Sequence, residues 1–179
     1  MANYEDEPTP RFWHQAFLHN EQVYIRGGQT DDLESQRNTL ETTLKRFDPV
    51  REVWRARVKT EGIPHPGLTQ VACVCIDGTL YLYGTHERKV LSQLNLQTLV
   101  WSQLWETAER DDGKTPMIKT AARMVPFSGG HLALFAGYAF PSDLQNLQLQ
   151  PGSVWTPNPY EKSKGWTNEF HLFNISKSK

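Results

Sequence analysis

Three stretches of this chain share one layout, and that repetition limits the possible folds more than any other feature. They read "HQAFLHNEQVYIRGG", "TQVACVCIDGTLYLYGT" and "TAARMVPFSGGHLALFAG". Each has an apolar run, a short polar or glycine-bearing turn, and a second run rich in Val, Leu, Tyr and Phe. A run, a tight turn and a second run make a β-hairpin, and glycine tolerates the positive φ that such turns require. Each stretch also closes on a glycine, Gly28, Gly84 and Gly137. These marks lie 56 (84 − 28) and 53 (137 − 84) residues apart.

A second pattern follows the hairpins. In "LKRFDPVREVW" the pair Phe47-Asp48 precedes Trp54, and in "LSQLNLQTLVW" Leu94-Asn95 precedes Trp101 at the same distance. Asp or Asn can hydrogen-bond its own backbone and open a turn, which suits the crossing from a third strand to a fourth. The tryptophan then covers a large apolar area on the outer strand. "FHLFN" places Phe173-Asn174 in the same role, and the matching tryptophan would fall just after Lys179. The strands expected are 14–19, 22–28, 43–48 and 52–58 in the first unit, and 69–76, 79–85, 89–95 and 99–106 in the second. The third holds 120–127, 131–137 and 169–175.

A period near 50 residues with four short strands and a Gly…aromatic…Trp signature resembles the kelch repeat over residues 13 to 179. The resemblance implies an all-β fold, a partial kelch-type β-propeller of about three four-stranded antiparallel blades, the last without its fourth strand. The organisation is then an acidic tail at 1–12, blades at 13–62 and 63–115, and an incomplete blade at 116–179 with a long loop at 138–168. Only the first unit keeps the Gly-Gly doublet, at Gly27-Gly28. The competing reading is an unrelated β-sandwich or barrel with regular turns. Blades packed on both faces account for the unbroken apolar run "VACVCI". Closed propellers use about four to eight blades. Three blades are therefore expected to be a fragment of a longer protein, with core residues around Phe17, Val23, Leu134 and Phe135 laid open and strand 169–175 left as an edge.

Charge and cysteine usage remove several functions. The chain has 19 Lys+Arg against 20 Asp+Glu, with no basic stripe of the kind a nucleic-acid binder shows. No apolar run is long enough for a membrane span, and "MANYEDEPTPRF" has no signal-peptide core. Cys73 and Cys75 alternate on one strand, which suits packed, reduced thiols in the cytoplasm or nucleus. The histidines at 14, 19, 65, 86, 131 and 171 show no metal-ligand spacing and are expected on turns or strand surfaces. No nucleophile–base pair or phosphate loop is present, and neither an enzyme nor a cofactor is expected.

The loop 138–168 contains Tyr138, Phe140, Trp155, Tyr160 and Trp166. So many aromatics in a long loop suit a binding rim, although packing of the loop onto the sheets would use them equally well. "KTEGIPHPGLTQVACVCIDGTLYLYGTH" and "LFAGYAFP…KGWTNEFHLFN" are similar to the kelch-domain substrate receptors of elongin–cullin–RING ubiquitin ligases that read C-terminal degrons. By that resemblance Tyr138 and Trp166 help to line a peptide pocket. The groups that hold the terminal carboxylate come mainly from later blades, and the elongin-recruiting motif follows the propeller, so elongin and cullin are reached only through segments missing from this chain. The expected partner is a protein or peptide ligand. The alternatives are a kelch scaffold or cytoskeletal adaptor without a peptide pocket, and a non-functional truncated fragment.

Overall fold

The structure, a computed structural model, describes residues 7–29, 44–66, 70–84, 89–107, 119–139, 156–157, 165–166 and 170–175. These residues form antiparallel β-sheets and no helix. The first sheet runs in chain order through β1 (Gln15–His19), β2 (Gln22–Arg26), β3 (Leu44–Asp48) and β4 (Val53–Val58). The second repeats that meander with β5 (Ala72–Ile76), β6 (Thr79–Tyr83), β7 (Lys89–Asn95) and β8 (Val100–Thr107). After the second sheet come β9 (Lys119–Thr120) and then the third sheet's hairpin, β10 (Arg123–Phe127) and β11 (His131–Phe135). After β12 (Tyr138–Ala139), β13 (Thr156–Pro157) and β14 (Gly165–Trp166) comes β15 (Phe170–Asn174), which bonds to β11. Every strand expected from the repeat is present, with ends shifted by at most three residues.

The turns show why the sequence folds this way. Each hairpin is closed by two residues with positive φ: Asn20 and Glu21 (47° and 58°), Asp77 and Gly78 (47° and 75°), and Gly129 and Gly130 (70° and 71°). Such turns match the right-handed twist of the strands they join. Counted from the second turn residue, the glycine marks fall out of step by one. Gly84 stands six residues on (84 − 78), as Gly27 does (27 − 21), whereas Gly137 stands seven on (137 − 130), as Gly28 does (28 − 21). The three glycines therefore do not share one position; Ala136, with φ 56°, fills the place of Gly27 and Gly84. At Gly28 the requirement is steric as well. A Cβ there would sit 2.8 Å from the His14 Cβ and 3.0 Å from the Phe12 carbonyl oxygen, because residues 11–14 cross directly over it. Phe12 and Gln29 exchange backbone bonds of 2.9 and 2.8 Å that hold this crossing.

The turn from third to fourth strand follows the Asp/Asn reading. Asp48 Oδ1 accepts from the amides of Val50 and Arg51, both at 3.1 Å. Asn95 Oδ1 accepts from Gln97 and Thr98, both at 2.9 Å. The amides of Leu96 and Ile175 then bond to the turn carbonyls of Gly78 and Gly130, at 2.8 and 2.9 Å. Pro49 occupies that position in the first sheet and has no N–H to give. A break in strand register recurs at matching points, after Leu44 and after Leu91.

The core lies between the sheets. Along β6, Leu80 and Leu82 face the first sheet and join Tyr24, Leu44, Val71, Leu94, Leu96 and Trp101. Tyr81 and Tyr83 face the third sheet and join Ala72, Leu91, Ala122, Met124, Leu132 and Leu134. The second sheet is thus covered on both faces, which is why "VACVCI" does not alternate with polar residues. Cys73 and Cys75 are free thiols packed against the first cluster. The linker from the first sheet adds to the far edge of the second: Glu61 donates to the Leu99 carbonyl and accepts from Trp101, each at 2.9 Å. The Trp101 indole donates to Thr60 Oγ1 at 3.2 Å.

Four expectations need correction. Leu134 is fully buried and Phe17 packs into the first cluster, so neither is laid open; Phe135 is exposed as expected, and Leu18, which the repeat did not single out, is exposed as well. His65 is no surface histidine. It is completely buried, donates through Nε2 to the Val90 carbonyl at 3.2 Å, and accepts on its own carbonyl from Arg26. Burial lowers the Arg26 guanidinium to about 10, and it lies 5.2 Å from the Trp101 ring centre. Finally, 138–168 is not all loop, since β12, β13 and β14 lie within it. Two-residue strands leave no period for sequence reading to detect.

Two measurements check this reading of the turns. Glu21 is a non-glycine residue in left-handed backbone, a state that costs about 1–2 kcal/mol. Glu21→Gly is expected to stabilise the fold by about 1 kcal/mol in a denaturant melt, and a loss of stability would contradict the turn assignment. Bonding to the Arg51 side chain at 2.8 Å and to the amides of Arg51 and Val50 holds the Asp48 carboxyl down at about 2. Its stabilising effect is then complete above the unfolded value of about 4 and is lost as pH falls toward about 2. Asp48→Asn keeps the amide bonds, as Asn95 shows. The stability gap between wild type and Asp48→Asn should therefore close between about pH 5 and pH 2, whereas a constant gap would show that the charge contributes nothing.

Candidate functional site

The first strands of the three sheets lie side by side, with β5 against both β1 and β10. Their entry points are joined through the backbone. Gln70 donates to the Trp13 carbonyl at 3.2 Å, and Ala121 donates to the Gln70 carbonyl at 3.1 Å. Trp13, Gln70 and Ala121 each stand two residues before their strand, and each has positive φ, 59°, 53° and 54°. None is glycine. Three such residues in one ladder store about 3–6 kcal/mol of backbone strain, and strain of this kind gathers at binding sites, held by the structure around it.

The ladder borders a cleft of about 590 Å³, lined among others by Trp13, His14, Gln15, Gln70, Arg123 and Tyr138. Gln15 and Arg123 open β1 and β10 at matching positions, where the second sheet has Ala72. Gln15 is buried, with its Nε2 at 3.4 Å from the Trp13 carbonyl; Arg123 is exposed. Among the described residues, the lining thus combines the Arg123 cation, two primary amides and the rings of Trp13, His14 and Tyr138, and includes no carboxylate. It can accept an anionic group flanked by apolar surface.

Of the two residues singled out by sequence, Tyr138 is half-buried and lines this cleft. It follows Gly137 and stands in β12, whose sheet has the order β13-β14-β12-β9. Tyr138 pairs with Thr120 on one side and with Trp166 on the other. Two residues far apart in sequence are therefore directly opposite each other on neighbouring strands. Phe140, Trp155 and Tyr160 lie outside the described residues. Sequence reading missed Arg123, Gln15, Gln70 and Trp13. Their signal was the repeat itself, since positions just before and at the start of the first strands meet at one cleft.

A second hollow, of about 680 Å³, opens at the hairpin end between the first and second sheets. Its charged lining residues include Glu21 and Asp77, so it disfavours an anion. Among the described residues, no three His, Cys, Asp or Glu side chains converge to hold a metal ion.

No protein-family model matches the chain, and no curated protein does. Among solved structures, the chain is similar to that of YjhT, with a TM-score of 0.58 and 16% sequence identity. The match covers 93% of this chain and 54% of YjhT, so the chain spans about half the length of that protein. At this identity the likeness concerns the fold alone.

Proposed function

We propose that this chain is a three-blade portion of a kelch-type β-propeller that works as a protein-interaction module and takes the C-terminal end of a peptide into its axial cleft. The observation that carries the reading is a cation and aromatic rings on one cleft. Arg123 and Tyr138 share one cleft, and Trp166 stands opposite Tyr138 on the next strand. A peptide's terminal carboxylate suits Arg123, which can form two parallel charge-assisted bonds with it. The side chains just before the terminus suit the rings, which give contact area at little entropic cost. Three meanders gathered on their first strands support the propeller reading. In a ubiquitin-ligase substrate receptor such a module presents the substrate and is itself no enzyme, and its place of action would be the cytoplasm or nucleus.

A scaffold without a peptide pocket is the competing reading, and one binding experiment separates the two. A random peptide library with free C-termini is selected on the chain, and an enriched peptide is then measured as the acid and as the amide. The acid is expected to bind at least tenfold tighter, about 1.4 kcal/mol. Arg123→Met should abolish that preference, and Tyr138→Ala and Trp166→Ala should each weaken binding by about 1–3 kcal/mol. Equal binding of acid and amide, with Arg123→Met indistinguishable from wild type, would favour the scaffold.

A further inference from the structure

Each sheet has two distinct faces, and the interior of the protein shows how they meet. The leading face of the first sheet packs on the trailing face of the second, and the leading face of the second packs on the trailing face of the third. Residues at matching positions can therefore be compared in covered and uncovered settings. On the leading face, Leu91 and Tyr83 of the second sheet are 3% and 1% exposed. Their counterparts on the third sheet, Phe170 and Phe135, are 57% and 38% exposed, with Val125, Phe127 and Leu172 open beside them. On the trailing face, Leu94 and Trp101 of the second sheet are 0% and 4% exposed. Their counterparts on the first sheet, Phe47 and Trp54, are only half-buried, tilted against each other with ring centres 5.0 Å apart, and Leu18 is 65% exposed where the second sheet has the packed Cys75.

The open leading face and the open trailing face are thus the two halves of a contact that the molecule already makes twice. We infer that a second copy of this chain covers them: the third sheet of each copy packs on the first sheet of the other, so that two chains associate head to tail through two equivalent contacts. Three sheets from each copy give six, within the about four to eight that close into a ring. A head-to-tail contact that closes on itself also stops at two chains and does not grow into a filament. The exposed patch is a side chain set of a kind that soluble monomers rarely leave open. The inference does not depend on the peptide reading.

The test is sedimentation of the purified chain at micromolar concentration, with two variants that each spoil one face. Phe170→Asp alters the leading face of the third sheet, and Leu18→Asp the trailing face of the first. Both residues are exposed, so circular dichroism should show the wild-type fold in each. The wild type is expected to sediment at twice the chain mass. Each variant alone should raise the dimer dissociation constant at least tenfold, since both of its contacts carry the change. An equimolar mixture of the two variants should regain association, because the mixed pair keeps one unaltered contact. A wild-type monomer would overturn the inference, leaving the faces to further sheets of a longer polypeptide. Variants that dimerise as well as wild type, or a mixture no tighter than either alone, would overturn it too, the latter by pointing to like faces meeting.

Discussion

Three inner strands are held edge to edge by two backbone hydrogen bonds, Gln70 to Trp13 and Ala121 to Gln70. Everything that positions the cleft follows from that ladder. It sets the first strands of the three sheets side by side. It also brings Gln15 and Arg123, separated by most of the chain, to one rim. The ladder exists only because its three residues adopt left-handed backbone, which turns their carbonyls and amides toward the neighbouring strand and away from their own sheet. That conformation is unfavourable for each residue alone, at about 1–2 kcal/mol, so the sheets behind the ladder must hold it in place.

They do so by packing. The side chains of β6 alternate between the two clusters, so a single five-residue strand anchors both interfaces. Fully burying a Leu side chain is worth about 1.5–3 kcal/mol. Leu80, Leu82, Leu94, Leu132 and Leu134 are all 0% exposed. Together they outweigh the strain in the ladder. Arg26 fits the same scheme as a buried cation. It bridges the sheets by bonding to the His65 carbonyl and resting on the Trp101 ring, and it ties the linker between the first and second sheets to both.

What the sequence shows plainly is what local chemistry dictates. Asn20-Glu21, Asp77-Gly78 and Gly129-Gly130 mark the hairpins, and Asp48 and Asn95 mark the next turns, because each acts within a few residues of itself. The glycine marks read as one position because spacing from glycine to glycine hides a one-residue shift that only the hairpin turns expose. Arg123 escaped notice because its importance lies in a convergence of three strands that no window of sequence contains. Tyr138 and Trp166 were suggested by resemblance, and their opposition across β12 and β14 is a matter of register over two-residue strands. His65 and Arg26 look like ordinary polar residues of a linker and a strand, and their burial is set by the neighbouring sheet.

Hydrogen exchange of individual amides, followed by NMR, tests the ladder most directly. Amides released only by global unfolding exchange most slowly, and those of loops exchange fast. Gln70 and Ala121 lie outside the sheets' own strands, so by local criteria their amides belong with the loops. If the ladder holds the inner strands together, both amides should be protected as strongly as those of Leu80 and Leu82 in β6. If they exchange at the rate of loop amides while β6 stays protected, the three sheets are joined by side-chain packing alone and the cleft has no fixed rim.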